Sequence, residues 1–484
     1  MTKATRWRSP RNQPRGPASS PPRGSDIPAP ETASASPGLP AFHGPARRRT
    51  EALMAELMHL ASSEAGADPH LHSQEERRGP EVDYCMRQRP DPGEASFAVM
   101  TEDELAPLLL PASASGADIR AVLELHGMCL LTGVLSQAQC EVMERLWLND
   151  LLQLVDEEQL AALPALASEV GQVQQGGPRA WPNAWGHRLG KKGTGSQRGL
   201  PHGGFAWAAR LHPTVRRSFA AIYDLPEDEL AVGLDCVFWR AADAPPVAFN
   251  EEWLHCDQNH CTGMTWRCIQ GALYVWPSHG EASSTTVVWP GSHHEAYDLM
   301  MGDPHAQAKG SNPGGQSVKL RELASADVRE PLLAQALAGA RRVPCPAGSL
   351  LLWDSRTIHQ GWGSGPRLAQ PVCWEPRERR SKAALGRKLW MCCAGVPSSH
   401  SSSEGRVHGM ATRQRPAPSW PADGEPALRD TLLPYGVAPG KEEEWLALME
   451  HELWRGRGNP RQNAGRGNSE LLAGVLREEV VSAL

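Results

Sequence analysis

The most constraining feature of this chain is a succession of short apolar runs closed by turn residues. Cys268-Ile269-Gln270-Gly271-Ala272-Leu273-Tyr274-Val275-Trp276 is followed, after a polar turn, by Thr285-Thr286-Val287-Val288-Trp289. Pro290-Gly291-Ser292-His293 ends that run, and further runs come at 342–344, 348–353 and 368–374. Each is the length of a strand and too short for an ordinary helix, and the Gly and Pro between them punctuate turns. Residues 230–239 and 126–135 read as two more strands. Helical patterns lie at the edges: one from Ser136, with Gln139 as its capping-box partner, a second over 157–168, and an amphipathic one over 205–223. Short strands with peripheral helices predict an α+β chain whose strands close as a barrel or sandwich. Twelve of the 17 Trp fall between Trp181 and Trp390, which puts the packed core there.

The flanks are different in kind. Residues 1–50 hold eight Arg and Lys3 against only Asp26 and Glu31, among many Pro, Ser and Ala. Such a segment buries too little apolar area to offset its ordering entropy, so residues 1–95 are expected to be disordered apart from one short helix at 51–62. The Arg-rich, acid-poor bias also suits an organelle transit peptide. Residues 396–484 read as a linker and a helical extension, with amphipathic patterns at 442–454 and 469–484. The central domain is then 96–395. A net charge of −6 offers no global field for nucleic acid. Eleven Cys without a CxxC pair suggest reduced thiols in a cytoplasmic or organellar protein, one that is not secreted. No apolar run is long enough for a membrane span. The glycine-rich basic stretch at 180–204 lacks the strand-then-helix setting of a phosphate-binding loop; it reads as a surface loop or a lid.

Within this frame sits Trp253-Leu254-His255-Cys256-Asp257-Gln258-Asn259. Residues i and i+2 of a strand share a face, so His255 and Asp257 converge. His359, 104 residues further on, follows the strand at 348–353, and Arg367 opens the next one. Two imidazoles and one carboxylate are the donor set of a non-haem Fe(II) centre with open positions. A buried dicarboxylate bound beside it needs a cationic partner, and the planar fork of Arg suits that role. HxD alone is a near-chance pattern. It gains weight only with His359, Arg367 and the strand placement.

The chain resembles the phytanoyl-CoA dioxygenase family of Fe(II)/2-oxoglutarate oxygenases. The matching pieces are the 253–259 run, Ile269-Gln270-Gly271, Val288-Trp289-Pro290-Gly291-Ser292-His293, the 348–359 run ending in Thr357-Ile358-His359, and Pro366-Arg367-Leu368. The resemblance covers roughly residues 120–395. It implies a double-stranded β-helix (jelly-roll, cupin-like) core with flanking helices. It implies His255, Asp257 and His359 as iron ligands and catalytic residues, and Arg367 as the partner of the distal carboxylate of 2-oxoglutarate. Gln270 and Thr285 are expected on the co-substrate wall. The interval from His359 to Arg367 is shorter than in the phytanoyl-CoA enzymes, which makes Arg356 the alternative anchor. Asp257 stands where halogenases of the wider family carry a small residue, which favours hydroxylation. Nothing resembles a CoA site.

The expectation is an oxygenase acting on a small or lipid-like substrate with Fe(II), 2-oxoglutarate and O2, ascorbate serving as an accessory reductant. Two rivals stand beside it: a zinc hydrolase using the same triad, and a non-catalytic scaffold.

Overall fold

The computed structural model describes residues 43–64, 97–153, 199–240, 253–278, 284–311, 315–363, 365–398, 400, 433–455 and 469–484. All lie in the compact unit Ala41–Leu484. The helix expected at 157–168 and most of the 180–204 loop fall outside the described residues.

The chain is α+β. Its described strands are, in order, β1 (Leu109–Pro111), β2 (Met128–Thr132), β3 (Leu230–Val232), β4 (Phe238–Arg240), β5 (His255–Cys256), β6 (Ile269–Tyr274), β7 (Thr285–Val288), β8 (Val318–Lys319), β9 (Arg341–Arg342), β10 (Ser349–Asp354), β11 (His359–Trp362), β12 (Arg367–Val372) and β13 (Trp374–Pro376). They form a six-stranded sheet of order β1-β2-β10-β6-β12-β4, a five-stranded sheet of order β8-β5-β11-β7-β9, and the pair β13-β3. Neighbours run antiparallel except β1 and β2.

Alternation along the strands creates the layers. In β10, Leu350 and Leu352 face the large helical core with Trp147, Phe205 and Trp207. Leu351 and Trp353 point the other way, into a core shared with Ala272, Tyr274 and Ala369 and with Val288 of the smaller sheet. The two sheets therefore face each other across this inner cluster. A third cluster, including Leu254, Val287 and Trp362, covers the far side of the smaller sheet. Leu351 is fully buried, so truncation to Ala should cost about 2–5 kcal/mol.

Several elements differ from the sequence reading. The strand expected over 230–239 is two strands, β3 and β4, in different sheets. The helix expected over 205–223 is two, Gly204–Leu211 and Pro213–Tyr223. Pro213 lacks the N–H that would continue the first helix and instead starts the second. Residues 300–330, read as an irregular excursion, contain the end of a helix at Glu295–Gly302, a second at Pro304–Gly310, β8, and the start of Ala326–Gly339. The Asp303 carboxylate organises this region by accepting from the backbone N–H groups of His305, Ala324 and Ser325. The charged helix expected after Trp374 starts only at Lys382, because β13 and a 3-10 turn come first.

Where side-chain capping was readable, the structure follows it. Ser136 accepts from Gln139 N while the Gln139 side chain accepts from Ser136 N, the reciprocal box at the start of Gln137–Leu152. The N-terminal helix, His43–Glu64, is longer than expected. It packs on Gln137–Leu152, with Asn149 Nδ2 donating to Thr50 Oγ1 at 2.6 Å. The C-terminal helices join the same large core through Trp445, Leu472 and Val480. Ten cysteines among the described residues are free thiols, the buried neighbours Cys392 and Cys393 included.

Candidate metal centre

Antiparallel pairing of β5 with β11 sets His255 directly opposite His359. Their ring centroids are 4.5 Å apart. β5 is only two residues long, so Asp257 lies just past the strand. Its backbone is held there by donation to Ser355 O at 2.8 Å. Its carboxylate turns back between the imidazoles, with Oδ1 3.5 Å from His255 Nε2 and Oδ2 3.3 Å from His359 Nε2. The three ligand atoms lie within 4.8 Å of one another.

Both rings are oriented from behind. His255 Nδ1 meets Trp253 O at 2.5 Å, and His359 Nδ1 meets Thr357 O at 2.9 Å. A carbonyl only accepts, so each Nδ1 carries a proton, and the neutral form of each ring has its Nε2 lone pair toward the shared space. This is the arrangement by which second partners aim imidazoles at a metal.

Burial and neighbours set the charges. Burial opposes ionisation of Asp257, but His255 and His400 outweigh it and hold the carboxyl well below its usual range. Burial lowers the His359 pKa, helped by the nearby His255. For His255 burial also acts downward, but Asp257 overcomes it and the net shift is up.

Arg367 opens β12 and is almost fully buried, 8 % exposed. Its Nη2 donates to Tyr274 Oη at 2.7 Å and Thr286 Oγ1 at 3.0 Å, and its Nη1 to Thr285 O at 3.4 Å. It stacks over Phe238 and Tyr274. Its Nε has no hydrogen-bond partner, and no carboxylate pairs with it among the described residues. Arg356 differs completely: its guanidinium grips Asp354 at 2.9 and 2.7 Å.

Gln270 projects from β6 and donates to Asp257 Oδ2 at 3.2 Å, which places it beside the carboxylate ligand. The Thr285 hydroxyl donates to Val343 O, and it is the Thr285 carbonyl that accepts from Arg367. Thr286 takes the inward position, because it shares a face with Val288 of the inner core. A shift of one residue in a strand exchanges faces.

Two partners were not read from the sequence. His400 Nε2 lies 3.3 Å from Asp257 Oδ2, while its Nδ1 contacts Asp235 Oδ2. The approach is made by Ser398, whose N donates to Leu234 O at 2.7 Å and whose Oγ accepts from Leu234 N at 3.1 Å. His400 and Asp235 line a small cleft with Phe238, Gln270 and Trp353. No local pattern marks a His that reaches Asp257 from so far along the chain. A second cluster, Cys268, Cys373 and Glu375, is fully buried away from these ligands, its thiols 3.8 Å apart.

No protein-family profile matches the chain. The "Ava biosynthesis cluster protein O" of Aspergillus versicolor is 25% identical over 206 residues, 42% of this chain and 64% of that protein, so the match spans less than two thirds of the relative. Among solved structures, the hypothetical protein JW0805 from Escherichia coli is 12% identical with a TM-score of 0.39, covering 76% of this chain and 91% of that one. The epimerase SnoN, in complex with Fe3+, alpha ketoglutarate and nogalamycin RO, is 13% identical with a TM-score of 0.29, covering 54% and 82%. At these values the superpositions are too loose to define the architecture or chemistry of this chain. No described helix is long and apolar enough to cross a membrane.

Proposed function

We propose that the chain is an Fe(II)- and 2-oxoglutarate-dependent oxygenase that hydroxylates a small-molecule substrate. The observation that carries this is the pairing of a buried His2Asp donor set with a buried guanidinium that has only neutral partners. His255, Asp257 and His359 suit Fe(II), two neutral imidazoles and one carboxylate leaving coordination positions open. Arg367 fits a dicarboxylate, because a buried cation without a counter-charge is costly until an anion reaches it. Thr286, against Arg367, is two residues along β7 from Val288, which pairs with His359. Two strand residues span about 7 Å, a separation suited to a short dicarboxylate held at both ends.

Iron with 2-oxoglutarate supplies the oxidising chemistry: decarboxylation to succinate and CO2, with one atom of O2 inserted into the substrate. The protein's own work is positional. Trp253 O and Thr357 O hold the imidazole protons on Nδ1, Gln270 steadies the carboxylate, and Arg367, backed by Tyr274 and Thr286, receives the distal carboxylate. The rings of Phe238 and Tyr274, packed on the guanidinium, limit the access of water to it. The two facing sheets support a double-stranded β-helix spanning 96–395, with 1–95 and 396–484 as extensions.

A zinc hydrolase is the weaker reading, since it has no use for a dicarboxylate anchor, and a scaffold has no use for three converging ligands. Anaerobic titration with Fe(II) and then 2-oxoglutarate, followed by succinate release without substrate, tests the proposal. Wild type should bind 2-oxoglutarate only with metal, and His255→Ala should lose both. Undiminished binding in that variant would sink it.

A further inference from the structure

We propose that His400, braced by Asp235, is a positioning residue of the metal centre that fixes the Asp257 carboxylate through its Oδ2. The inference rests on the metal reading above and adds to it a residue from beyond the central domain.

Three observations support it. His400 Nε2 is 3.3 Å from Asp257 Oδ2, the oxygen that also accepts from Gln270 at 3.2 Å. On its other side His400 meets the Asp235 carboxylate, which is itself buried at 3 % exposure. The ring therefore has one nitrogen directed at each carboxylate. The approach is also built, not incidental. Ser398, fully buried, bonds both ways to Leu234. A Cβ on Gly233 would lie 1.9 Å from His400 O, so only glycine lets the segment come this close.

The consequence is geometric. A carboxylate that is free to rotate can bind a metal through either oxygen or through both. The Gln270 donor and the His400 contact on Oδ2 hold its plane and limit that freedom. Partners of this kind, bonded to a ligand and not to the metal, typically change metal affinity 10–100-fold when removed. His400 is directed at Asp257 on one side and at Asp235 on the other, which assigns it as a partner of Asp257.

The test is a titration of the metal-free protein with Co(II), read by its visible absorption, with thermal melting of each apo variant alongside. His400→Ala should weaken Co(II) by about 10–100-fold and change the shape of the band. His400→Phe keeps a packed ring without N–H donors and should weaken it alike. Asp235→Asn should weaken it in the wild-type background and do nothing further beside His400→Ala, because Asp235 acts through the imidazole. The inference is overturned if either His400 variant binds Co(II) as wild type does, or if Asp235→Asn costs the same in both backgrounds. A purely structural role would lower the melting temperature and leave affinity and spectrum unchanged, which also overturns it. His255→Ala separates this from the parent reading: if that variant still binds Co(II) normally, the metal centre itself is wrong.

Discussion

Asp354 and Arg367 are both buried charges at strand ends, and they are treated in opposite ways. Asp354, fully buried at the end of β10, takes Arg356 Nε and Nη2 at 2.9 and 2.7 Å, Arg267 Nε at 2.7 Å and the Arg356 backbone N–H at 2.9 Å. Burial alone would raise its pKa, but the two arginines hold it below the ordinary range. Arg267 passes the charge on to Glu124 at 2.8 Å. Arg367 has hydroxyls, a carbonyl and aromatic faces, and no carboxylate among the described residues. A closed ionic cluster asks for nothing more. It organises the turn from Asp354, through Thr357 N donating to Asp354 O, that delivers His359. An open one is costly unless a ligand completes it. The difference separates scaffold from site more sharply than burial does.

The comparison predicts opposite signs for the two substitutions. Asp354→Ala leaves two guanidinium groups facing each other without their shared anion and should lower the unfolding free energy by about 3–5 kcal/mol. Urea denaturation of the apo protein measures it. A loss under about 1 kcal/mol would mean that the cluster is better solvated than its burial implies. Arg367→Met removes a buried cation that has no counter-charge and keeps an apolar stem of similar length. It should leave apo stability unchanged or improved. Its cost appears only on binding, as a loss of roughly several hundred-fold in 2-oxoglutarate affinity with metal binding intact. Isothermal titration at saturating metal checks this, and a clear drop in apo stability would break the contrast.

How much of this was open to reading from residues alone depends on range. Strands β2, β6, β10 and β12 of the larger sheet were legible because short apolar runs bounded by turn residues, such as Leu350-Leu351-Leu352-Trp353, are a local signal; β1 was not read, and β4 was merged with β3. The convergence of His255 with Asp257 was visible as a spacing, although a strand of two residues does less of the work than the Asp257–Ser355 backbone bond. The inward Thr was not legible, because Thr285 and Thr286 are adjacent and only the register of β7 on β11 decides which faces Arg367. The helices of 295–339 were missed because Glu295–Gly302 and Ala326–Gly339 have no side-chain cap, and the bonds from Asp303 to Ala324 and Ser325 that order the region are tertiary. His400 carried no signal at all. Its place depends on Ser398 docking beside Leu234, a tertiary contact with no local pattern behind it.

The smallest effect expected is also the one that decides between the two arginines. From sequence, Arg356 and Arg367 were both candidates to anchor a carboxylate, one just before His359 and one just after. Arg356 is already committed to Asp354 through two side-chain bonds and is 29% exposed. Arg356→Ala therefore leaves Asp354 with Arg267 and with the backbone N–H of residue 356, which substitution does not remove. The remaining loss is that of a partly solvated charged contact, about 1–2 kcal/mol of stability. Affinity for 2-oxoglutarate should stay within about twofold of wild type, because the guanidinium was never available to it. Measured side by side with Arg367→Met, the two variants should cross: one slightly less stable and fully able to bind, the other stable and unable to. If Arg356→Ala instead loses 2-oxoglutarate while Arg367→Met retains it, the Asp354 cluster opens on binding and the anchor is Arg356.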